Sequence, residues 1–209
     1  MRAPEPFGHG VAGREAYLLL EFLELKGQGD FAMLGRMLAE AHRKAGPRFG
    51  WARDNYIGAT PQQNGWMDDW ADFWRERRLK PQHELARRNG VDLGKVELDT
   101  VLRGHKPQPS LVHGDLWSGN AGFTAEGPVV FDPAVYYGDR EVDLAMTELF
   151  GGFPREFYRA YNEAFPLDAG YETRKHLYNL YHLLNHLNLF GSGYLAQVEA
   201  TLSLLRRAL

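Results

Sequence analysis

No cysteine occurs among the 209 residues. Disulfides, thiolate nucleophiles and Cys-ligated zinc are therefore excluded. An excess of one charge is also missing. Twenty-four Lys and Arg stand against 27 Asp and Glu, a formal net charge of −3, so there is no basic footprint for a nucleic acid. No apolar run approaches the ~20 residues of a membrane span. The opening Met1-Arg2-Ala3-Pro4-Glu5-Pro6 lacks the apolar core of a signal peptide. These absences point to a soluble cytoplasmic protein with neither a membrane nor a nucleic-acid partner. Internal repeats and low-complexity segments are absent as well. The 44% hydrophobic content is enough for one substantial core, or for one large domain plus a fragment of another.

The most informative stretch is His113-Gly114-Asp115-Leu116-Trp117-Ser118-Gly119-Asn120. It reads H-x-D-L-x-x-x-N, the catalytic-loop pattern of kinase-type phosphotransferases. The chemistry accounts for the spacing. An Asp accepts the proton of an attacking hydroxyl, and an Asn at the far end of the same loop turns inward to hold Mg²⁺. Twelve residues later, Asp132 ends the apolar run Val129-Val130-Phe131, where a strand-end metal ligand belongs. The bland alternative is an Asx-rich loop with Asp132 as a turn residue.

Along the chain, Ala16 to Leu23 is short, apolar and bounded by Gly, and is expected to be a buried strand. Asp30 is placed to cap a helix carrying Met33, Leu34, Met37, Leu38 and Ala41, stopped by Gly46 and Pro47. A polar loop is expected from Ile57 to Gly65. Helices are expected over Trp66 to Arg78, Pro81 to Asn89 and Val96 to Arg103. Ser110 to Val112 should be a strand feeding the catalytic loop, with Pro128 to Phe131 as its hairpin partner. Helices then follow over 139–150, 154–165, 171–190 and 198–209. The fold class is mainly α with short β hairpins, an α+β arrangement.

Several stretches together resemble the fructosamine kinase (ketosamine-3-kinase) family, relatives of the aminoglycoside phosphotransferases. They are Leu111 to Asn120, Pro61-Gln62-Gln63-Asn64 with Trp66-Met67-Asp68-Asp69-Trp70, Phe131-Asp132-Pro133-Ala134, Gly151-Gly152-Phe153-Pro154 and Leu184-Asn185-His186-Leu187-Asn188. The resemblance covers the chain from about residue 16 onward. It implies the C-terminal lobe of a protein-kinase-like fold plus the hinge strand, with residues 1–25 as a remnant of the N-lobe and hinge and 26–209 as the lobe. It implies ATP- and Mg²⁺-dependent phosphorylation of the 3-hydroxyl of ketoamine sugars, on small molecules or on protein amines, as a deglycation repair. By position, Asp115 becomes the base, and Asn120 and Asp132 the metal ligands. The backbone of Glu21, Phe22 and Leu23 becomes the adenine edge. Trp117 becomes a platform under the sugar, with His113 beside it on the substrate side and bracing the loop. Asp143 becomes a structural acceptor for the catalytic-loop backbone.

The chain departs from the family pattern ahead of the hinge. The family's N-lobe, with its phosphate-pairing Lys, should occupy on the order of a hundred residues there, and about fifteen are present. Gly8 to Gly13 spells G-x-G-x-x-G, but with so little chain before it a Gly-rich turn between two strands is the better reading. An exposed hinge edge would favour self-association. Two rival functions stay open: a catalytically silent sugar- or partner-binding protein, and another small-molecule kinase of the aminoglycoside or choline group. His182 and His186, four apart, lack a third ligand and are expected as core or groove residues. Asp68 and Asp69 are either surface charges or groove-lining residues.

Overall fold

A computed structural model describes residues 1–94 and 99–207. The chain begins with a hairpin of β1 (Pro6–Ala12) and β2 (Glu15–Leu20). Gly13 at the turn takes a positive φ of 65°, so the glycines of the G-x-G-x-x-G stretch serve a hairpin. The strand expected over Ala16 to Leu23 ends at Leu20 and is exposed along its whole length. It pairs with β1, and none of its residues belongs to either buried core. Tyr17, Leu18 and Leu19 are all more than half exposed.

Asp30 accepts the Met33 N–H at 2.8 Å and starts α1 (Phe31–His42), as the sequence suggests. The stretch expected as a polar loop instead contains a second hairpin, β3 (Asn55–Ile57) with β4 (Thr60–Gln62). Next, α2 (Trp70–Trp74) runs through a π-helical turn at Arg75–Leu79 into α3 (Lys80–Arg88). Two helices were expected here, and one continuous rod is found. Pro81 has no N–H to give, and the widened turn before it absorbs the missing bond. The rod begins late because Asp69 caps it, accepting the Asp72 N–H at 3.1 Å. Of the helix expected over Val96 to Arg103, residues 96–98 lie outside the described residues. The rest is a 3₁₀ turn at Asp99–Leu102.

β5 (Ser110–Val112) enters the catalytic loop but does not pair with residues 128–131. Its partner is β8 (Tyr136–Gly138), while β6 (Ala121–Thr124) pairs with β7 (Gly127–Val130). The loop is therefore gripped between two small sheets. The remainder is helical: α4 (Glu141–Leu149), α5 (Arg155–Ala164), α6 (Tyr171–Phe190) and α7 (Leu195–Arg207). α6 is apolar on more than one side, with Leu177, Tyr178, Leu180, Leu183 and Leu184 all buried, so it runs through the molecule rather than over it. One core gathers α2, α6 and α7. A second gathers α1, α4, α5 and the β6–β7 hairpin. The catalytic loop contributes Leu116 to the second core, and the end of β5 contributes Val112 to the first. Among the described residues no helix is long and apolar enough to cross a membrane.

Candidate active site

The loop after β5 is held from below by Asp143 on α4. Its fully buried carboxylate accepts the backbone N–H groups of His113 at 2.7 Å and Gly114 at 2.8 Å. His42 on α1 donates from Nε2 to the same carboxylate at 3.0 Å, and its Nδ1 meets the Tyr161 hydroxyl at 2.8 Å. Burial would push the Asp143 pKa up, but the bonds from His42 and His113 outweigh it and hold the group below the usual carboxylate range. Gly114 has a φ of 82°, and a Cβ there would collide with the Ala134 carbonyl. Only glycine meets both demands.

His113 is buried rather than facing substrate. Its Nε2 donates to the Phe131 carbonyl at 3.0 Å, and its Nδ1 accepts the Asp115 N–H at 3.3 Å. Burial pushes its pKa down, so it is a neutral brace with both nitrogens engaged. The substrate-side role expected for it does not fit this position.

Asp115, Asn120, Asp132 and Trp117 line one cavity of about 370 Å³ together with Tyr56, Gly58 and Pro133. Asn120 donates from Nδ2 to the Asp115 carbonyl at 2.9 Å, and the same atom lies 3.4 Å from Asp115 Oδ2. That leaves Oδ1 as the Asn120 atom available to a cation. Asp132 is exposed and has a φ of 53°, the only positive value at a non-glycine among the described residues. Strain of this kind is retained where surroundings enforce it, often at functional sites. Two hard oxygen donors, the Asn120 amide and the Asp132 carboxylate, beside the Asp115 carboxylate suit Mg²⁺.

Asp115 is pushed up to about 6, first by burial and then by the charges of Asp143 and Asp132, with Asn120 opposing. A base must be ionised to accept a proton. The rate is therefore expected to fall as pH drops through about 6 and to level off above it. A kcat/KM profile from pH 5 to 9 checks this. A profile flat down to pH 5 would count against Asp115 titrating near 6 in the working enzyme.

A second, more apolar cavity of about 360 Å³ adjoins the first and shares Gly58, Asp115 and Trp117 with it. Phe150, His186 and Tyr194 form part of its wall. The Trp117 indole lies where a Cβ on Gly119 would be, so that glycine lets the ring fold back onto the loop. His182 stands behind Asp115, with its Nδ1 3.9 Å from Oδ1. Burial drives its pKa down to about 3. It is therefore neutral, and the proximity is not an ion pair. Sequence reading placed the two histidines in the core or groove but did not find the rest of this wall, because apolar helix residues carry no signal distinguishing cavity from core.

A third cavity, of about 230 Å³, is lined by Glu21, Phe22, Leu23 and Lys26 together with Arg2 and Thr124. The segment after β2 is tied down at both ends. The Glu21 N–H donates to the Glu5 carbonyl at 2.8 Å, and the Lys26 N–H to that of Phe123 at 2.7 Å. Arg2 pairs with the Glu21 carboxylate at 2.6 Å. Asp68 and Asp69 line none of these cavities. Asp68 pairs with Arg48 on the surface, and Asp69 caps the rod and meets Lys106.

An Asp–Asn loop clamped by a helix carboxylate, followed by an Asp just past a short strand, fits a kinase-type phosphotransferase fold. A choline/ethanolamine kinase family protein from Mesorhizobium loti shares it at a TM-score of 0.54 and 14% identity, over 99% of this chain and 74% of that one. The narrower match is stronger. The fructosamine kinase family profile matches residues 1–207, and the chain belongs to that family. A relative named probable ketoamine kinase, from Synechocystis sp., is 52% identical over 97% of this chain and 72% of its own length. The chloroplastic protein-ribulosamine 3-kinase of Arabidopsis thaliana is 44% identical over 93% of this chain and 63% of its own length. A solved structure named for fructosamine-3-kinase, from Haemophilus somnus 129PT, superposes at a TM-score of 0.93 with 32% identity, over 98% of this chain and 73% of that one.

Proposed function

We propose that this protein transfers the γ-phosphoryl group of ATP to the 3-hydroxyl of a ketoamine sugar. The observation that carries the reading is the convergence of Asp115, Asn120 and Asp132 on one cavity that opens into a second, aromatic-walled one. In this reading Asp115 takes the hydroxyl proton at a carboxylate oxygen, and Trp117 and the aromatic wall orient the sugar and its amine. Asn120 Oδ1 and the Asp132 carboxylate would hold Mg²⁺, which would supply positive charge against the phosphates. The adenine edge meets the Glu21 carbonyl and the backbone of Leu23, since the Glu21 N–H is already bonded. Residues 1–25 serve as the entering hairpin and hinge, and 26–209 as the lobe.

The direct test is incubation with ATP, Mg²⁺ and a fructosamine or ribulosamine, followed by product mass. A mass gain of one phosphoryl group is expected. Saturable acceptor binding with no transfer would favour the silent binding protein instead. Transfer to an aminoglycoside or choline but not to ketoamines would favour the other kinases of the superfamily.

The exposed apolar hairpin also leads us to propose self-association through β1 and β2. Light scattering is expected to show mass rising with concentration. A monomer at all concentrations would end that proposal.

A further inference from the structure

His182 stands in the middle of α6 and is buried. Among the described residues six buried side-chain nitrogen or oxygen atoms lack a hydrogen-bond partner, and its Nδ1 is one of them. Such an atom has given up water and gained nothing in return, which is costly. The helix on either side is packed with Leu and Tyr, and an apolar residue would serve that packing as well. A buried polar atom left unpaired calls for a reason, and a part in catalysis is one of the known ones. Nδ1 lies 3.9 Å from Asp115 Oδ1.

The Asp115 carboxylate is loosely held in turn. Its Oδ2 lies 3.4 Å from Asn120 Nδ2, and its Oδ1 has only His182 at 3.9 Å. A short bond from N–H to an ionised carboxylate runs at about 2.7–2.9 Å. Asp143 and Gly114 fix the loop backbone, but a side chain carried on that backbone still turns about its own bonds. His182 is neutral, because burial holds its pKa down to about 3. One ring nitrogen therefore carries a hydrogen and the other is bare. A carboxylate alongside Nδ1 favours the hydrogen there. Nε2 is not among the unpartnered buried atoms and is then the bare nitrogen. Closing the gap by about 1 Å completes an N–H···O bond, and bonds at a catalytic base commonly shorten when substrate is seated. Nδ1 is closed off from solvent, so the bond it makes is direct.

We propose that His182 is the positioning residue for Asp115: its Nδ1–H donates to Asp115 Oδ1 and fixes the rotation of the carboxylate as the hydroxyl attacks. The inference rests on the reading of Asp115 as the base. The hydroxyl proton goes to the carboxylate, and the imidazole keeps its own hydrogen and stays neutral. Asp143 and Gly114 set the course of the loop, and His182 sets the angle of the side chain at its centre.

Kinetics and NMR test this together. His182→Leu is expected to lower kcat about tenfold or more, the scale of one hydrogen bond to a charged group, with KM for ATP and for the ketoamine little changed. His182→Asn puts an amide N–H close to where Nδ1 stood and is expected to restore most of that loss. A histidine that serves only packing predicts instead that activity follows the melting temperature, with Asn no better than Leu. The NMR measurement uses the whole chain labelled with ¹⁵N-histidine and no substrate. The His182 signals are assigned by their loss in the Asn variant. They are expected to show the hydrogen on Nδ1 and to shift in Asp115→Ala. The proposal is overturned by a bare Nδ1, by signals that ignore Asp115→Ala, by wild-type kcat in His182→Leu, or by a folded Asn variant as slow as the Leu one. Should His182→Leu not fold, the position of the hydrogen and its response to Asp115→Ala decide. A chain that transfers no phosphate, yet shows the Nδ1 hydrogen responding to Asp115, would sink the kinase reading and leave the contact standing.

Discussion

Asp115→Asn is expected to lower kcat by at least about a hundredfold, the scale of losing a positioned base. The change is nearly isosteric, so Asn120 keeps its bond to the residue 115 carbonyl and the loop keeps its shape. The amide, however, cannot take the hydroxyl proton. Stability should move the other way. The Asp115 pKa is raised in the folded state to about 6, by burial and by Asp143 and Asp132. The folded protein therefore binds that proton more tightly than the unfolded chain does. The penalty is fully present above pH 6, fades as pH falls, and is gone below the ordinary aspartate range. Removing the charge should relieve on the order of 2 kcal/mol at pH 8. The expected signature is lost turnover with an equal or higher melting temperature, measured on the same sample. A variant that kept more than about a tenth of wild-type activity would exclude Asp115 as the base.

The catalytic loop was legible because its chemistry fixes residue types at fixed spacing. Asp115, Asn120 and Asp132 come from separate turns of one chain segment, and the structure places them in one cavity. Asp143 was legible too, because an Asp in an apolar helix needs buried donors to be tolerated. The strand pairing around the loop was not legible. β5 and β7 are each short and apolar, and either could have paired with the other. β8 contains Tyr136 and Tyr137 but is only three residues long, too short to show an alternating pattern. The hairpin of β3 and β4 was hidden by Pro61, Gln62 and Gln63, which resemble a polar loop. Their polarity is instead satisfied internally. Gln62 donates to the Ala134 carbonyl and to Asn55 Oδ1, and accepts the Tyr181 hydroxyl. Asn64 accepts Arg78. This internal network gives the Pro61–Asn64 signature a structural reason, which propensity alone does not supply. The exposure of β2 ran against its apolar composition for a related reason. Composition says that a strand can be buried, and only the neighbours decide whether it is.

Asp143→Asn should be the most damaging change outside the catalytic cavity. The carboxylate now serves three donors: two loop amides and His42. An amide offers one oxygen and must turn its NH₂ toward at least one of those donors. Breaking a buried charge network of this kind typically costs about 3 kcal/mol or more, or a fall of roughly 10 °C in Tm for a chain of this size. The pH dependence separates this from a generic loss of packing. Asp143 is held below the ordinary aspartate range, so its contribution is present above the unfolded pKa and disappears as pH falls through the lower, folded value. Wild type and variant melting temperatures should therefore differ most near neutral pH and converge in acid. A constant gap across that range would mean that the damage comes from shape rather than charge. No gap at all would mean that the loop does not depend on Asp143. In that case Gly114, with its positive φ and its contact with the Ala134 carbonyl, would be left as the residue that sets where Asp115 points.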